Sequence, residues 1–513
     1  MKKKFIILLI IFGLIIYLNS LFNGFVWDDE ETIVNNQTIR SIKNIPSFFT
    51  NSVDKNSAYY RPVTLTILTV VYSIFGERPF FFRLLQVLIH ITSGVIIFLI
   101  FSKLFNKNYL LAFFLSLIFL VHPVNSEAIL FMSAMQETLF FLVGAIALLI
   151  IINNQNLSLK KFVAVEGLLF VGLFIKETAV IFFALIFFYL LLFNKKLVSK
   201  HLVIGAGFFW LYFFLRILAG NLYVQGQGLF PIMRVVWWIR FLTIPKIILF
   251  YIEKFFIPWR LVIAQHWVVS TPTLTNFYFP LIVDVVFFTA IIIYCLKTKN
   301  KLFIFFALWF VIGLFPHLQL IPLNMTVAER WLYFPIGGLL GMMGVFINKL
   351  KTGKNIQIIL CFIAVCLLST RTIIRSFDWR NELSLFSHDI KLTAHTFDLE
   401  NNFGVALFRS GKINEAEIHF NKSIELAQDW WVNWNNLGAV YEKKGNFLKS
   451  ENCYLHALKN GDYYLAYENY AGILIRQKKY LEAKQFVWEK ALPKFPYNQK
   501  LNSIYNFLLT NPK

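Results

Sequence analysis

Four cysteines in 513 residues leave no room for a disulfide framework. Cys295, Cys361 and Cys366 lie inside apolar runs and Cys453 stands alone in the tail, so there is no CxxC metal pair either. Charge is also scarce. Only 15% of the residues are charged, and 28 acidic residues face 49 lysines and arginines, a formal balance of +21. The lysines gather in short clusters between apolar runs rather than along one face, which argues against a nucleic-acid footprint and for a membrane topology signal. No GxxxxGK[ST], GxGxxG after a strand, HExxH or GxSxG occurs, so cytoplasmic nucleotide chemistry and the common hydrolytic chemistries have no support. No obvious DxD pair is present, which leaves a divalent metal without assigned ligands.

What is abundant is hydrocarbon. Hydrophobic residues make up 58% of the chain and aromatics 18%, with a mean hydropathy of +0.61. A soluble domain uses roughly 45–50% apolar residues, and one water-soluble core cannot hide so much apolar surface. The expectation is an all-α polytopic membrane protein. About eleven spans are readable, at 5–22, 82–102, 109–121, 137–153, 162–175, 178–193, 201–218, 279–296, 302–318, 331–348 and 355–370. Lys2, Lys3 and Lys4 precede the first, and no small-x-small cleavage site closes it, so it reads as a retained span with a cytoplasmic N-terminus.

The basic clusters around Lys103, Lys160, Lys195, Lys297 and Lys351 then fall on alternate, cytoplasmic loops of an inner membrane. The stretch 235–257, interrupted by Arg240, Lys246, Glu253 and Lys254, reads as interfacial, with a hairpin of two short spans as the alternative. On this threading the extracytoplasmic segments are 23–81, 122–136, 219–278, 319–330 and everything after Arg371. The domains are a membrane domain at 1–375, a linker at 376–396 and a repeat domain at 397–513.

The tail repeats. Gly404, Gly438 and Gly472 are 34 residues apart, and NNFGVALFRSGKINEAEIHF aligns with NNLGAVYEKKGNFLKSENCY. That is the period of a tetratricopeptide repeat (TPR) solenoid, in which each helical hairpin needs its neighbours. The third unit reads one residue short at the turn around Lys479, with 497–513 as a closing helix.

Chemistry is expected on the outward segments. Asp28, Asp29, Glu30 and Glu31 follow the first span directly; adjacent carboxylates at a low-dielectric boundary raise one another's pKa, which suits a general base, although an acidic flank fixing topology explains them equally well. His122 and Glu127 lie in His122-Pro123-Val124-Asn125-Ser126-Glu127, either lining a re-entrant cavity or capping a helix. Lys176-Glu177 forms a whole hairpin between apolar runs, and Glu329-Arg330 ends another loop. Their cations, with Arg61, suit a phosphate; the plainer alternative is that Lys176 pairs with Glu177 and that Glu329 and Arg330 snorkel.

The set FVWDDEETIVNN (25–36), YYRPVTLTILTVVYSIFG (59–76), LIH (88–90), LVHPVNSEAILFMSAMQETL (120–139), FIKETAV (174–180) and VAERWLYFPIGGLL (327–340), followed by DWRNELSLF and the repeats, resembles the transmembrane-and-TPR O-mannosyltransferase-like branch of the GT-C glycosyltransferases. The resemblance implies a polyprenyl-phosphate-sugar donor, inverting transfer to an outward hydroxyl of a protein or glycan, and Asp28 or Asp29 as base. Arg61, Lys176 and Arg330 would hold the donor phosphate. The chain departs from the family pattern at Gln136, where an arginine is usual. Membrane lipids and a protein partner on the repeats are expected; nucleic acid is not. Two other readings compete: a flippase for a lipid-linked substrate, and a catalytically silent scaffold whose repeats collect other proteins.

Overall fold

Backbone removed from water must satisfy its own hydrogen bonds, so long apolar runs become helices. The computed structural model describes residues 1–51, 59–154, 156–220, 230–349, 354–393 and 396–510, and every regular element among them is helical. Parts of the segments 23–81 and 219–278, Lys351 in its basic cluster, part of the linker 376–396 and the end of the tail lie outside the described residues. The chain divides into two units, Met1–Asn381 and Glu382–Lys513.

Among the described residues, five helical segments of the first unit are long and apolar enough to cross a membrane: Pro79–Leu104, Met132–Asn153, Lys195–Leu218, Leu274–Thr298 and Asn355–Asp378. Tyr109–Val121 with Pro123–Leu130, bent by 46°, makes a sixth if it is one broken span. This corrects the expected count of eleven. The other runs form shorter helices: Lys2–Tyr17 has 16 residues, Leu159–Ile175 17, Val180–Phe193 and Lys301–Leu314 14 each, and Pro335–Lys349 15. At 1.5 Å per residue a 14-residue helix reaches about 21 Å, short of the roughly 30 Å hydrocarbon layer. The apolar runs continue through tight turns, such as Phe315–His317, that end the helices early. Trp237–Phe256 is one continuous 20-residue helix carrying Pro245, so the alternative hairpin of two short spans does not form.

Pro79–Leu104 and Met132–Asn153 are central, with 61% and 67% of their apolar windows buried, and they pack on each other. Lys195–Leu218, Leu274–Thr298 and Asn355–Asp378 are peripheral, at 17%, 11% and 17%. Their outer faces leave Val203, Phe214, Ile282 and Leu360 exposed, as helices facing lipid would. Lys301–Leu314 and Pro335–Lys349 touch closely through Gly338, where a Cβ would come within 2.5 Å of the Phe310 backbone nitrogen.

In the second unit the hairpins Phe397–Arg409 with Ile413–Leu426 and Trp431–Lys443 with Phe447–Asn460 repeat one geometry. A Cβ on Gly404 would meet Phe420 at 2.7 Å, and one on Gly438 would meet Tyr454 at 2.6 Å, so both positions require a small residue. Gly472 has nothing within 4 Å, and the tight contact is not repeated there. Gly411 and Gly445 turn their hairpins at φ 82° and 77°; the third turn comes one residue early and places Lys478 at φ 62°. Gln499–Thr510 closes the stack.

Candidate functional site

The acidic loop leaves the first helix through the short turn Asn19–Phe22 and bends at Trp27, a left-handed residue at φ 56° stacked on Phe131 at 5.0 Å. The two aspartates beyond it differ. Asp28 is exposed, whereas Asp29 is fully buried. Asp29 Oδ1 accepts hydrogen bonds from the Ser133 N–H at 2.8 Å and the Ser133 hydroxyl at 3.0 Å, and Oδ2 accepts from the Val26 N–H at 3.2 Å. Burial pushes its pKa up to about 6, against the opposing pull of Arg83 and of these hydrogen bonds. Asp29 therefore ties the loop to the 122–136 segment. Arg83 and Gln86, on the central helix, complete the tie: Arg83 donates to the carbonyls of Asn23, Gly24 and Leu130, and Gln86 to those of Ala128 and Phe131.

The candidate cations all pair with carboxylates distant in sequence. Arg330 donates its backbone N–H to Glu127 at 2.9 Å and its guanidinium to the same carboxylate. Lys176 pairs with Glu137, not with Glu177. Glu177 instead receives Arg61 at 3.3 Å, with Arg216 at 3.7 Å. Glu329 does not pair with Arg330; it is buried and accepts the Val262 N–H at 2.5 Å. The alternative pairing of Lys176 with Glu177 is thus replaced by long-range partners, and Glu329 and Arg330, rather than snorkelling, bond to Val262 and to Glu127.

These groups share one electrostatic environment. Burial lowers the Lys176 pKa, Glu137 opposes that, and Arg61 and Arg330 add to it. Arg330 is in the field of Glu127, Glu137 and Asp28. The structure therefore brings together Asp28, Glu127, Lys176 and Arg330, adds Glu137, and sets Arg61 and Glu177 on the Lys176 side. His122 stands apart. Its Nε2 donates to the Phe255 carbonyl at 3.0 Å, its Nδ1 accepts the Val124 N–H at 3.3 Å, and its ring stacks on Phe255, which is how a capping residue behaves.

Sequence reasoning missed Glu137 and Arg83 as site residues. The signal was available, because an ionisable residue on an otherwise apolar helix is costly unless it has a partner. Among the described residues no group of three or more His, Cys, Asp or Glu side chains is placed to hold a metal. Chemically, an exposed carboxylate facing paired, partly desolvated cations can take a proton from one reactant while stabilising negative charge on another.

An all-helical unit with several membrane-length helices and a buried charged cluster, accompanied by helical-hairpin repeats, defines the class. The comparisons bear on the repeats and on the chain as a whole. A tetratricopeptide repeat model matches residues 433–460. The chain is 23% identical over 445 residues to the protein O-mannosyl-transferase F38B6.6 of Caenorhabditis elegans, covering 82% of this chain and 62% of the relative. To human protein O-mannosyl-transferase TMTC3 it is 24% identical over 505 residues, covering 86% of this chain and 53% of the relative. A shorter match, 34% over 123 residues, links it to human protein O-mannosyl-transferase TMTC1, covering 22% of this chain and 14% of the relative. The homologues thus carry the name of the family that the sequence motifs resemble. The chain spans only about half to three-fifths of the length of the first two relatives.

Proposed function

We propose that the protein is a membrane glycosyltransferase that moves a sugar, mannose by analogy with the names of its relatives, from a polyprenyl-phosphate donor to a protein hydroxyl on the extracytoplasmic side. The observation that carries this reading is the exposed Asp28 in the field of Arg330, whose side chain is mostly shielded from solvent, with Lys176 in the field of the same guanidinium. Asp28 takes the proton of the acceptor hydroxyl. The hydroxyl oxygen attacks the anomeric carbon from the face opposite the phosphate, the sugar–phosphate bond breaks, and polyprenyl phosphate leaves with the bonding electrons. Lys176 and Arg330, with Arg61 beyond, offset the charge that grows on the leaving phosphate. Asp29 holds the loop in place. The TPR unit receives the acceptor or a partner, since its repeats carry packing residues and no clustered catalytic groups.

In this reading the N-terminus and the Lys297 loop are cytoplasmic, and the TPR unit is outside. A reporter fused after Arg371 that is active only in the cytoplasm would refute that topology. The function itself is tested by incubating purified protein with polyprenyl-phosphate mannose labelled in the sugar and with a serine- and threonine-rich peptide. Label transferred to peptide supports the proposal. Intact donor throughout, in protein shown to bind it, refutes it and leaves the flippase and scaffold readings.

A further inference from the structure

The short turn Phe315–His317 follows the apolar helix Lys301–Leu314 and brings His317 into the interior, where the residue is 5% exposed. Its ring lies flat on Trp331, with centroids 4.7 Å apart and planes 10° from parallel. The Arg330 guanidinium carbon is 5.8 Å from the centroid of the same indole. Lys176 and Arg330 both act on His317 electrostatically. The imidazole therefore belongs to the cluster that holds the candidate phosphate cations, although nothing about its sequence position marks it.

The cations beside it have protein partners: Arg330 has Glu127 and Lys176 has Glu137. His317 Nδ1 is buried and has no hydrogen-bond partner among the described residues. A buried polar atom left unmet costs about 1–3 kcal/mol, so one that sits within a charged cluster calls for a partner. Burial and two neighbouring cations favour an uncharged imidazole, which can give one hydrogen bond without adding a third positive charge to the cluster.

We propose that His317 Nδ1 hydrogen-bonds a non-bridging phosphate oxygen of the lipid-linked donor beside Lys176 and Arg330, making it a further substrate-contacting residue. The assignment rests on the donor reading above and adds to it a neutral contact that recognises the phosphate as distinct from the lipid chain.

The test is equilibrium binding, in one detergent, of a short-chain polyprenyl phosphate and of the matching uncharged polyprenol to the full chain. His317→Ala should bind the phosphate about 10-fold or more weakly, the usual effect of losing a hydrogen bond to a charged group, and the polyprenol as the parent does. His317→Asn, whose amide reaches the Nδ1 position, should recover most of the difference, and His317→Gln should not. Parent-like phosphate binding by His317→Ala, or equal loss of both ligands in a monodisperse protein, overturns the assignment. If His317→Ala does not fold, the Asn and Gln variants decide, because equal affinity in the two also overturns it. A parent that does not distinguish phosphate from polyprenol sinks the donor reading itself and this contact with it.

Discussion

The ion pairs of the candidate site and the lysine pairs on the surface of the repeats use charge in opposite ways. In Met1–Asn381 the key pairs are interior: the side chains of Lys176 and Glu137 are 8% and 5% exposed, and those of Arg330 and Glu127 12% and 0%. In Glu382–Lys513 pairs such as Lys412–Glu415 and Lys494–Asp462 lie at the surface. Surface pairs contribute little and are easily replaced. Interior pairs carry a desolvation cost that stability alone does not justify, so their presence points to a ligand or a reaction. The packing runs the other way, since the TPR unit is regular where the first unit is irregular.

The sharpest break in this contrast should come from removing one partner of an interior pair. Glu127→Gln leaves the mostly shielded Arg330 without its counter-charge and should cost on the order of 3–5 kcal/mol, seen as a large fall in the detergent melting temperature. Asp462→Asn should leave the melt unchanged. Equal effects would mean that both pairs are surface ornament or that both are structural. A smaller loss, about 1–3 kcal/mol, is expected for Gly338→Ala, because the new methyl meets backbone that cannot rotate away. Gly472→Ala meets nothing within 4 Å and should be tolerated.

Asp29 sharpens the contrast through pH. Its folded pKa, about 6, lies above the ordinary 3.8, so its contribution to stability is fully present below about 4 and is lost as pH rises through about 6. Asp29→Asn should remove that component. Melting profiles of parent and variant across this window should therefore differ in slope, and parallel profiles would show that Asp29 does not titrate there. The smallest expected effect is in the repeats. Lys478→Gly relieves a left-handed lysine at φ 62° and should stabilise the protein by about 1 kcal/mol, measurable by urea unfolding of the tail signal.

Much of the fold was legible because it is periodic. The 34-residue spacing located the repeats, and the missing residue near Lys479 reappears as Lys478 standing where Gly411 and Gly445 turn the earlier hairpins. Five of the expected spans exist as long helices because their runs are uninterrupted. The others, the bent 109–130 pair apart, were overcounted, since hydropathy does not reveal where a run such as 302–318 stops being helical. At the site, the residue types were legible and the partners were not. Lys176 finds Glu137 across 39 residues and Arg330 finds Glu127 across 203, separations that no local pattern encodes. The roles of Asp28 and Asp29 separate only by burial, and His317 carries no motif at all.

The most direct test of the central claim, that Asp28 and the interior cations form a transfer site while the tail's surface charges do not, is the initial rate of mannose transfer from polyprenyl-phosphate mannose by Asp28→Asn and Asp462→Asn side by side. General-base catalysis typically contributes about 10²–10⁴-fold, so Asp28→Asn should fall by that order with donor affinity retained, and Asp462→Asn should match the parent. A parent-like rate for Asp28→Asn, in protein that binds donor normally, would contradict the account.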